Sequence, residues 1–311
     1  MQDTYFIPSD AHEGCVWVPH QQRLYFATTK KLDEPRVGIC YLDFSAFDLA
    51  RDADWGPRLA AGDPGALTAR QFVHDANMAN SLTLDRDGRS LLVAEQGDQD
   101  HPARLTRRAL ADGAAEVLLD AFEGQPLNSP NKVIVSRAGH VIVSDPDYGF
   151  RQGFRPPPVR EPSLYVLPAG GGAPFAFDCG LEMPHGLALS PDETTLYVTD
   201  TSADGAHDTV DLERRRAVYA FTFDPASGRI TNDPRFCFAV DKGVPDGTET
   251  DGDRLIVGGG DGVYVAQLDG KLIGKIKLKH TAVNLAVVYD HLFVTADDGV
   301  YVILNWRDRV R

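Results

Sequence analysis

Long apolar segments and export signals are missing from this 311-residue sequence. No run of roughly eighteen apolar residues occurs, so we expect no membrane span and no membrane partner. The N-terminus, MQDTYFIPSD, lacks the basic start and apolar run of a signal peptide. Cysteine is scarce and forms no CxxC pair, which predicts buried thiols and a cytoplasmic protein without disulfides. The cysteines are Cys15, Cys40, Cys179 and Cys237.

Positive charge is also in short supply. The chain has 31 Lys and Arg residues against 45 Asp and Glu residues, and its formal net charge is -14 at pH 7. This balance argues against nucleic acid as a partner, because phosphates demand a basic patch. The sequence has no Gly-x-Ser-x-Gly elbow, no GxxxxGK[ST] loop and no GxGxxG opening a helix. A serine nucleophile and a nucleotide cofactor are therefore not expected.

Helical periodicity is rare, whereas strand signals dominate. Short runs of Val, Leu, Ile and Tyr recur between Gly, Asp, Asn or Pro residues, a pattern typical of strands joined by tight turns. The 29 glycines and 20 prolines are spread along the chain, and a hydrophobic content of 43% is ample for a large core. We therefore expect one all-β domain that spans residues 1–311.

A polar residue stands directly before a short apolar strand at six places. These residues are Glu13, Asn80, Asn131, His185, Asp246 and Asn284. Self-similarity at a period of roughly 40–50 residues is typical of a propeller or a solenoid. We predict a six-bladed β-propeller of four-stranded antiparallel blades at residues 13–50, 69–120, 128–178, 182–240, 243–279 and 281–306. The last blade is a strand short, and residues 2–9 are expected to supply that strand and close the ring.

The six polar residues meet at one end of the central axis if their strands are the innermost strands of successive blades. Two carboxylates, a histidine and three carboxamides would then converge on one point. Such a set is much more readily a metal site than a packing arrangement. The sequence therefore predicts a cation near the axis.

One segment, residues 148–162, does not follow the repeat. Its sequence, YGFRQGFRPPPVREP, is aromatic, basic and proline-rich, and too irregular for a strand. A loop of this kind on the face of a propeller is predicted to be a functional lid, with a plain structural insertion as the alternative.

Four stretches resemble the gluconolactonase group of the SMP-30/gluconolactonase/luciferin-regenerating-enzyme superfamily, and the resemblance covers nearly the whole chain. They are HEGCVWVPHQQRLYFAT, LNSPNKVIVSRAGHVIVSDPDYG, MPHGLALSPDETTLYVTDT and GVPDGTETDGDRLIVGGGDGVYV. The resemblance implies a six-bladed propeller with one divalent cation in its channel, usually calcium and sometimes zinc, magnesium or manganese. Members of the family hydrolyse sugar lactones, and some relatives cleave organophosphates.

The resemblance also implies which residues hold the cation. Glu13 matches the glutamate of E-G-x-V-W, Asn131 the asparagine of S-P-N, and Asp246 the aspartate of P-D-G. His185 stands where the family has an asparagine, and Lys132 where it usually has an aspartate. These two positions are departures from the family pattern.

The histidine changes the chemistry that we expect of the site. An all-oxygen set suits calcium, whereas an imidazole among oxygen ligands favours zinc, manganese or iron. We therefore expect zinc or manganese bound through His185, with calcium or magnesium as alternatives. His185 is otherwise a general base, a substrate hydrogen-bond donor or a structural imidazole. Strand alternation predicts that Lys132 points away from the axis, and its loss of an acidic group is expected to loosen Asn131.

Lactone hydrolysis needs a polarised carbonyl, an activated water and a proton for the leaving alkoxide. The cation would polarise the carbonyl, and Asp246, which lies between metal and substrate in the family, is the expected proton carrier. Glu13 is expected to act purely as a ligand. The expected substrate contacts, each with a purely structural role as the alternative, are Asn80, Asn284, Glu95, Tyr148 and Arg151.

The sequence thus predicts a metal-dependent lactonase with a small-molecule substrate, a sugar lactone in carbohydrate metabolism. A monomer or small homo-oligomer is expected. Two alternatives are a related metal-dependent hydrolase or isomerase of specialised metabolism, and a non-catalytic propeller that binds partner proteins. Four convergent ligand-type residues argue against the last, because a scaffold has no reason to keep them.

Overall fold

The computed structural model describes residues 4–31, 36–50, 67–205, 209–231 and 234–310. Within these ranges the chain forms six four-stranded antiparallel sheets. The innermost strands of neighbouring sheets contact one another around a closed ring. The prediction of an all-β, six-bladed propeller is confirmed.

The strands follow one another along the chain, from the inside of each blade to its outside. Blade 1 contains β2 (Glu13–Val18), β3 (Arg23–Ala27), β4 (Ile39–Asp43) and β5 (Arg70–Val73). Blade 2 contains β6 (Ala79–Leu84), β7 (Ser90–Glu95), β8 (Arg104–Ala109) and β9 (Ala115–Leu119). Blade 3, after the short hairpin β10 (Ala121–Phe122) and β11 (Gln125–Pro126), contains β12 (Val133–Val135), β13 (Val141–Asp145), β14 (Ser163–Leu167) and β15 (Phe175–Phe177).

The second half of the ring has the same order. Blade 4 contains β16 (Pro184–Leu189), β17 (Thr195–Asp200), β18 (Ala217–Thr222) and β19 (Arg235–Ala239). Blade 5 contains β20 (Thr248–Asp251), β21 (Arg254–Gly259), β22 (Gly262–Gln267) and β23 (Leu272–Lys277). Blade 6 contains β24 (Asn284–Val288), β25 (His291–Thr295), β26 (Asp297–Ile303) and the N-terminal strand β1 (Thr4–Ala11). The helical segments among the described residues are α1 (Tyr148–Arg151) and the 3-10 turns Pro19–Gln21 and Trp306–Arg309.

The N-terminal strand closes the ring. It pairs antiparallel with β26, with Thr4 opposite Ile303 and Pro8 opposite Gly299. The prediction that residues 2–9 complete the last blade is confirmed for the described part of that segment, and residues 2 and 3 lie outside the described residues. The first and last parts of the chain are therefore held in one sheet, which hides the edges of the propeller.

The predicted limit of the first blade is wrong. Residues 13–50 were expected to hold all of blade 1, but its outer strand is β5, which pairs with β4 through Ile39 opposite Val73 and Tyr41 opposite Arg70. Two of the four residues of β5 are exposed and polar, so its sequence carries little strand signal. Residues 51–66 of the connection to it lie outside the described residues.

Both faces of the middle strands are buried, which explains their continuous apolar runs. In β7, Leu91 and Val93 pack against blade 1, whereas Leu92 and Ala94 pack against blade 3. Alternate side chains of one strand therefore serve two neighbouring cores. Full burial of a Leu or Val side chain stabilises the fold by about 1.5–3 kcal/mol. The interfaces between blades thus hold the inner strands in a fixed ring.

The described residues contain no helix that is long and apolar enough to cross a membrane. The four cysteines are free thiols. Cys15 and Cys179 are buried, as expected, whereas Cys40 and Cys237 are only half-buried. Burial raises the pKa of Cys15 and that of Cys179 to about 12, so both stay protonated at neutral pH.

Candidate metal centre

The heads of the inner strands surround a cavity of about 90 Å³ at one end of the central channel. This volume holds about three water-sized groups, for example an ion and about two water molecules, since one water takes about 30 Å³. Among the described residues, the lining consists of His12, Glu13, Lys30, Asn80, Asn131, Tyr148, Gln152, His185, Asp204, Val244 and Asp246. It includes five of the six strand-head residues, and the sixth, Asn284, lies directly behind Glu13.

Three potential ligands converge in this cavity. Glu13, His185 and Asp246 each place one ligand atom within 4.8 Å of the others. Nδ1 of His185 is 3.4 Å from Oδ1 of Asp246, and Nε2 is 4.0 Å from Oε1 of Glu13. Two ligands about 2.1 Å from a tetrahedral zinc ion would be about 3.4 Å apart, so the spacing of His185 and Asp246 suits two ligands of one ion.

Several polar atoms in the cavity have no hydrogen-bond partner among the described residues. They are Oδ1 of Asn80, Nδ1 of His185 and Oδ1 of Asp246, all buried. An unsatisfied buried polar atom costs about 1–3 kcal/mol, so a cluster of them is expected only where something else binds. A carboxylate, an imidazole and amide oxygens are all ligands of divalent cations. These residues therefore fit such a cation.

Burial determines the charge of the histidine. It lowers the pKa of His185 to about 4, although the nearby carboxylate of Glu13 acts in the opposite direction. His185 is therefore neutral at physiological pH. A neutral imidazole is the form that coordinates a metal.

The two carboxylates of the trio differ in their proton affinity. Burial raises the pKa of Asp246 well above its ordinary value, and the negative charge of Glu13 adds to this effect. Burial alone would raise the pKa of Glu13 as well, but the neighbouring His185 and His12 and a hydrogen bond from Asn284 lower it below its ordinary value. Glu13 is thus the more permanent anion, whereas Asp246 holds a proton more readily.

Irregular pairing at the start of three inner strands turns the polar side chains into the cavity. The register between β2 and β3 shifts between Glu13 and Val16, and that between β16 and β17 shifts between Pro184 and Leu187, on either side of His185. A similar shift in β6 brackets Asn80. Such bulges re-aim a side chain that regular alternation would place elsewhere.

A steric requirement explains why glycine follows both Glu13 and His185. Gly14 has a φ of 66°, and a Cβ there would lie 2.6 Å from Cγ of Leu82 in the next blade. A Cβ on Gly186 would lie 2.4 Å from the backbone oxygen of Asp246. Only glycine lets the heads of neighbouring inner strands approach so closely. The E-G and H-G pairs of the sequence are therefore needed to bring the ligands together.

Lys132 points into the central channel, so the prediction that it faces away is wrong. Its ammonium is buried and donates to Oδ1 of Asn284 at 3.2 Å. Nδ2 of Asn284 in turn donates to Oε2 of Glu13 at 2.7 Å. Alternation does not apply because β12 begins only at Val133, after Lys132. Lys132 and Asn284 therefore hold the carboxylate of Glu13 from behind, a role that differs from the substrate contact expected of Asn284.

Asp145, the last residue of β13, holds the loop that leads to Asn131. Its carboxylate accepts the backbone N–H of Asn128 at 2.8 Å and that of Ser129 at 2.7 Å. The S-P-N segment is thereby tied to the second strand of its own blade. The side chain of Lys132, which follows Asn131, lies in the channel and takes no part in this attachment.

An acidic residue that accepts backbone N–H groups also ends the second strand of blade 4. Asp200 ends β17, and its Oδ1 accepts the backbone N–H of Met183 at 3.2 Å and that of Ser202 at 3.0 Å. Met183 lies two residues before His185. An acidic residue at the end of the second strand thus holds the chain just before a ligand in both blades.

The substitution Asp145→Asn should change how stability depends on pH. Burial raises the pKa of Asp145 from 3.8 to about 7, although the two N–H bonds lower it. The folded protein therefore favours the protonated acid. The raised pKa adds up to about 4 kcal/mol to the free energy of unfolding. This stabilisation is complete below about pH 4 and is lost as the pH rises to about 7. Urea unfolding should show that the stability advantage of the wild type over the variant shrinks across this range.

Asp120 offers a matched control, since it is an exposed carboxylate just after β9. The Asp120→Asn variant should keep the pH profile of the wild type. If the free energy of unfolding of the wild type instead increased with pH relative to that of Asp145→Asn, the expectation would be contradicted. The two N–H bonds would then affect the pKa of Asp145 more strongly than burial does.

Two other predicted site residues line the cavity and also support its walls. Nδ2 of Asn80 donates to the backbone oxygen of Asn131 at 3.4 Å. Tyr148 packs edge-on against the imidazole of His185, with ring centroids 5.5 Å apart. Its hydroxyl donates to Oγ1 of Thr201 at 2.6 Å. Asn80 keeps a free amide oxygen for a ligand, whereas Tyr148 mainly orients His185.

Glu95, predicted as a substrate contact, does not line the cavity. Its fully buried carboxylate accepts from Nε of Arg104 at 2.6 Å, Oγ1 of Thr106 at 2.7 Å and Nη2 of Arg108 at 2.7 Å. All three donors lie on β8, the strand beside it. Glu95 therefore stabilises blade 2 and lies outside the cavity.

Arg151 also lies outside the cavity. Its guanidinium pairs with Asp147 at 2.7 Å and borders a separate surface cavity of about 630 Å³. That larger cavity gathers ion-paired surface residues and none of the strand-head residues. The smaller one is the better candidate site because three potential ligands converge there and three of its buried polar atoms have no hydrogen-bond partner among the described residues.

Four polar residues that line the cavity were not predicted as site residues. They are His12, Lys30, Gln152 and Asp204. His12 pairs with Asp297 at 2.5 Å, and burial lowers the pKa of Lys30. The sequence position of Lys30 could have predicted its location near the site. It follows Ala27 by three residues, and Ala27 lies opposite Glu13 in the first hairpin. The end of that hairpin had to lie beside the site.

Comparison with known proteins agrees with this picture. The family described as SMP-30/Gluconolactonase/LRE-like region matches residues 11–298. Lactonohydrolase oryL of Aspergillus oryzae is 24% identical over 319 residues, covering 95% of this chain and 68% of that protein. A gluconolactonase of Zymomonas mobilis is 28% identical over 226 residues, covering 70% of this chain and 58% of that protein.

The fold has close counterparts among solved structures. A gluconolactonase of Xanthomonas campestris superimposes with a TM-score of 0.75 at 28% identity, covering 97% of this chain and 89% of the other. The likeness therefore extends over the whole ring and includes the strands that carry the candidate ligands.

Proposed function

The chain belongs to the SMP-30/gluconolactonase/LRE-like family, and we propose that it is a lactonase that opens sugar lactones with the help of a divalent cation. The proposed ligands are Glu13, Asn131, His185 and Asp246. The observation that carries the proposal is the convergence of a carboxylate pair and an imidazole, with unsatisfied atoms, in one buried cavity.

The names of the relatives support hydrolysis over the isomerase alternative. The Aspergillus protein is a lactonohydrolase, and the Zymomonas and Xanthomonas proteins are gluconolactonases. All three act on lactones by their names, and the Xanthomonas protein shares the fold over nearly its whole length. A cyclic ester of a sugar is therefore the substrate class that we propose.

The chain's own residues supply the proton transfers. Water adds to the lactone carbonyl, the bond between the acyl carbon and the ring oxygen breaks, and the ring oxygen leaves with a proton. Asp246 is proposed to take the proton from water and return it to the ring oxygen, because burial raises its pKa and makes it a stronger base than an exposed carboxylate. A divalent cation, when bound, supplies Lewis acidity for the carbonyl.

The other residues position these groups. Glu13, held by Asn284, contributes permanent negative charge to the floor of the cavity. His185 is neutral and packs against Tyr148, which keeps the imidazole in one orientation. Its low pKa favours the role of ligand over that of general base, because a base of pKa about 4 accepts protons poorly at neutral pH.

The metal preference of the site tests this proposal. Metal-free wild type should bind zinc or manganese more tightly than calcium, measured by titration calorimetry. The substitution His185→Asn restores an oxygen-only set, so the affinity for zinc should fall at least about tenfold while that for calcium is kept or increased.

His20 provides the control for this experiment. It is an exposed histidine in the 3-10 turn after β2, so His20→Asn should bind metals like the wild type. A wild type that binds calcium more tightly than zinc, with no change in His185→Asn, would rule out His185 as a ligand.

A further inference from the structure

At the mouth of the cavity, two side chains from distant parts of the chain meet. Lys30 follows β3 in blade 1, and Gln152 follows α1 in the irregular segment of blade 3. Nζ of Lys30 donates to Oε1 of Gln152 at 3.5 Å. Both side chains line the same cavity as the candidate ligands. Gln152 is exposed and Lys30 is half-buried, so the pair lies on the open side of the cavity.

The pair offers hydrogen-bond donors to such a molecule. Because the amide oxygen of Gln152 accepts from Lys30, its NH₂ group is left to donate. The ammonium of Lys30 has three N–H groups and uses one of them here. Two neighbouring donor groups, one of them charged, match the two oxygens of a carboxylate.

The ammonium of Lys30 contacts the amide of Gln152 but pairs with no carboxylate among the described residues. No carboxylate in the described part of the chain lies within ion-pair distance, 4.0 Å, of its ammonium. A lysine that only balanced the acids of the cavity would be expected to contact one of them. Lysine is strongly hydrated, so placing its ammonium at a partly enclosed mouth is unfavourable unless a bound group compensates.

The cavity lining carries charges of both signs. Glu13 and Asp246 converge with His185 and suit a cation, whereas Lys30 is the lining group that can bind an anion, although Asp204 lines the cavity as well. Lys30 is the only Lys or Arg among the described residues that line the cavity. A chain with a net charge of -14 repels anions in general, so a local positive charge is needed to admit one.

We propose that Lys30, together with Gln152, binds a carboxylate on the lactone substrate at the end remote from the ring carbonyl. The enzyme would then prefer lactones of sugar diacids over neutral aldonolactones. The preference rests on the proposed lactonase function, since it concerns the substrate of the same site. Lys30 acts here as a specificity residue and takes no part in proton transfer.

The test compares two lactones that differ in a carboxylate. D-Glucaro-1,4-lactone carries one, whereas D-glucono-1,4-lactone has the same five-membered ring and is neutral. In the wild type, the ratio of kcat/KM for the diacid lactone to that for the neutral one should exceed unity. In Lys30→Met the ratio should fall at least about tenfold, because a hydrogen-bonded charge is lost, and Lys30→Arg should keep most of it.

Lys31 provides a matched control. It is the next residue, it is exposed, and it does not line the cavity. Lys31→Met makes the same change in net charge, so an effect of charge at long range would appear in both variants. The proposal requires that Lys31→Met keep the wild-type ratio. Lys30→Gln serves as a second variant, and thermal unfolding should show that each variant is folded.

A binding experiment separates this proposal from the proposed function. Wild type should bind D-glucarate, the open-chain diacid, more tightly than D-gluconate in titration calorimetry, and Lys30→Met should remove that difference. A wild type that hydrolyses neither lactone but shows this Lys30-dependent binding would overturn the lactonase function and leave the carboxylate site standing. The proposed carboxylate site would be ruled out if Lys30→Met lost kcat/KM equally for both lactones. It would also be ruled out if the wild type preferred the neutral lactone.

Discussion

Asp246→Asn is expected to lower kcat for lactone hydrolysis by about two to four orders of magnitude, the usual contribution of a general acid–base group. Asparagine has the same size but can neither accept nor return a proton. The backbone of this residue is held independently, because its N–H donates to the oxygen of Gly258 at 3.0 Å. The variant should therefore fold normally. Steady-state kinetics with an aldonolactone, in which hydrolysis is monitored through proton release, measures the effect.

Two observations decide the interpretation of that variant. Asp120→Asn, the exposed control, should have the activity of the wild type. The metal affinity of Asp246→Asn should be measured in parallel and the kinetics repeated at saturating cation, because Asp246 is also a proposed ligand. Near-normal turnover at saturating cation would show that another group carries the proton.

Glu13→Gln is expected to weaken binding of the divalent cation by on the order of 100-fold or more, and lactone hydrolysis should fall with it. Loss of groups that merely support a ligand already costs about 10–100-fold, so loss of the charged ligand should cost at least as much. Gln is nearly isosteric, and its amide oxygen can still accept from Nδ2 of Asn284, which now donates to Glu13 at 2.7 Å. The fold should therefore survive. Titration calorimetry and elemental analysis measure the affinity and the metal content.

Chelation of the wild type is the matching experiment. Removal of the cation should abolish activity, and adding it back should restore activity in the wild type but not in Glu13→Gln at the same concentration. Glu213→Gln, which changes an exposed glutamate after blade 4's second strand, should behave as the wild type. Full activity of the chelated wild type would refute a role for the metal.

The sequence errors share one cause, which is that side-chain direction depends on more than alternation. Lys132 was expected to face away from the axis, but the ladder of β12 begins one residue later, so its direction is set by contacts with Asn284 in another blade. Glu95 looked like a cavity residue because it ends an inner hairpin. Its position depends on the arginines of β8, which only the pairing of β7 with β8 brings beside it.

The limit of blade 1 was misplaced for a related reason. The strand Arg70–Val73 has a weak local pattern and is separated from β4 by a long connection. Its membership in the first blade follows from pairing with β4, which is a long-range contact. The sequence pattern alone assigned it to the neighbouring blade.

The sequence by itself determined the propeller and the kinds of residue at the heads of its inner strands, since short apolar strands, tight turns and a repeat of fixed length are local features. The glycine after Glu13 and that after His185 are also sequence features, and steric contact between neighbouring strands explains them. Only the tertiary structure decided which of these side chains converge, that Lys132 supports Glu13 through Asn284, and that Lys30 lies at the mouth. Convergence depends on the bulges and on closure of the ring, and both arise from contacts between residues far apart in the chain.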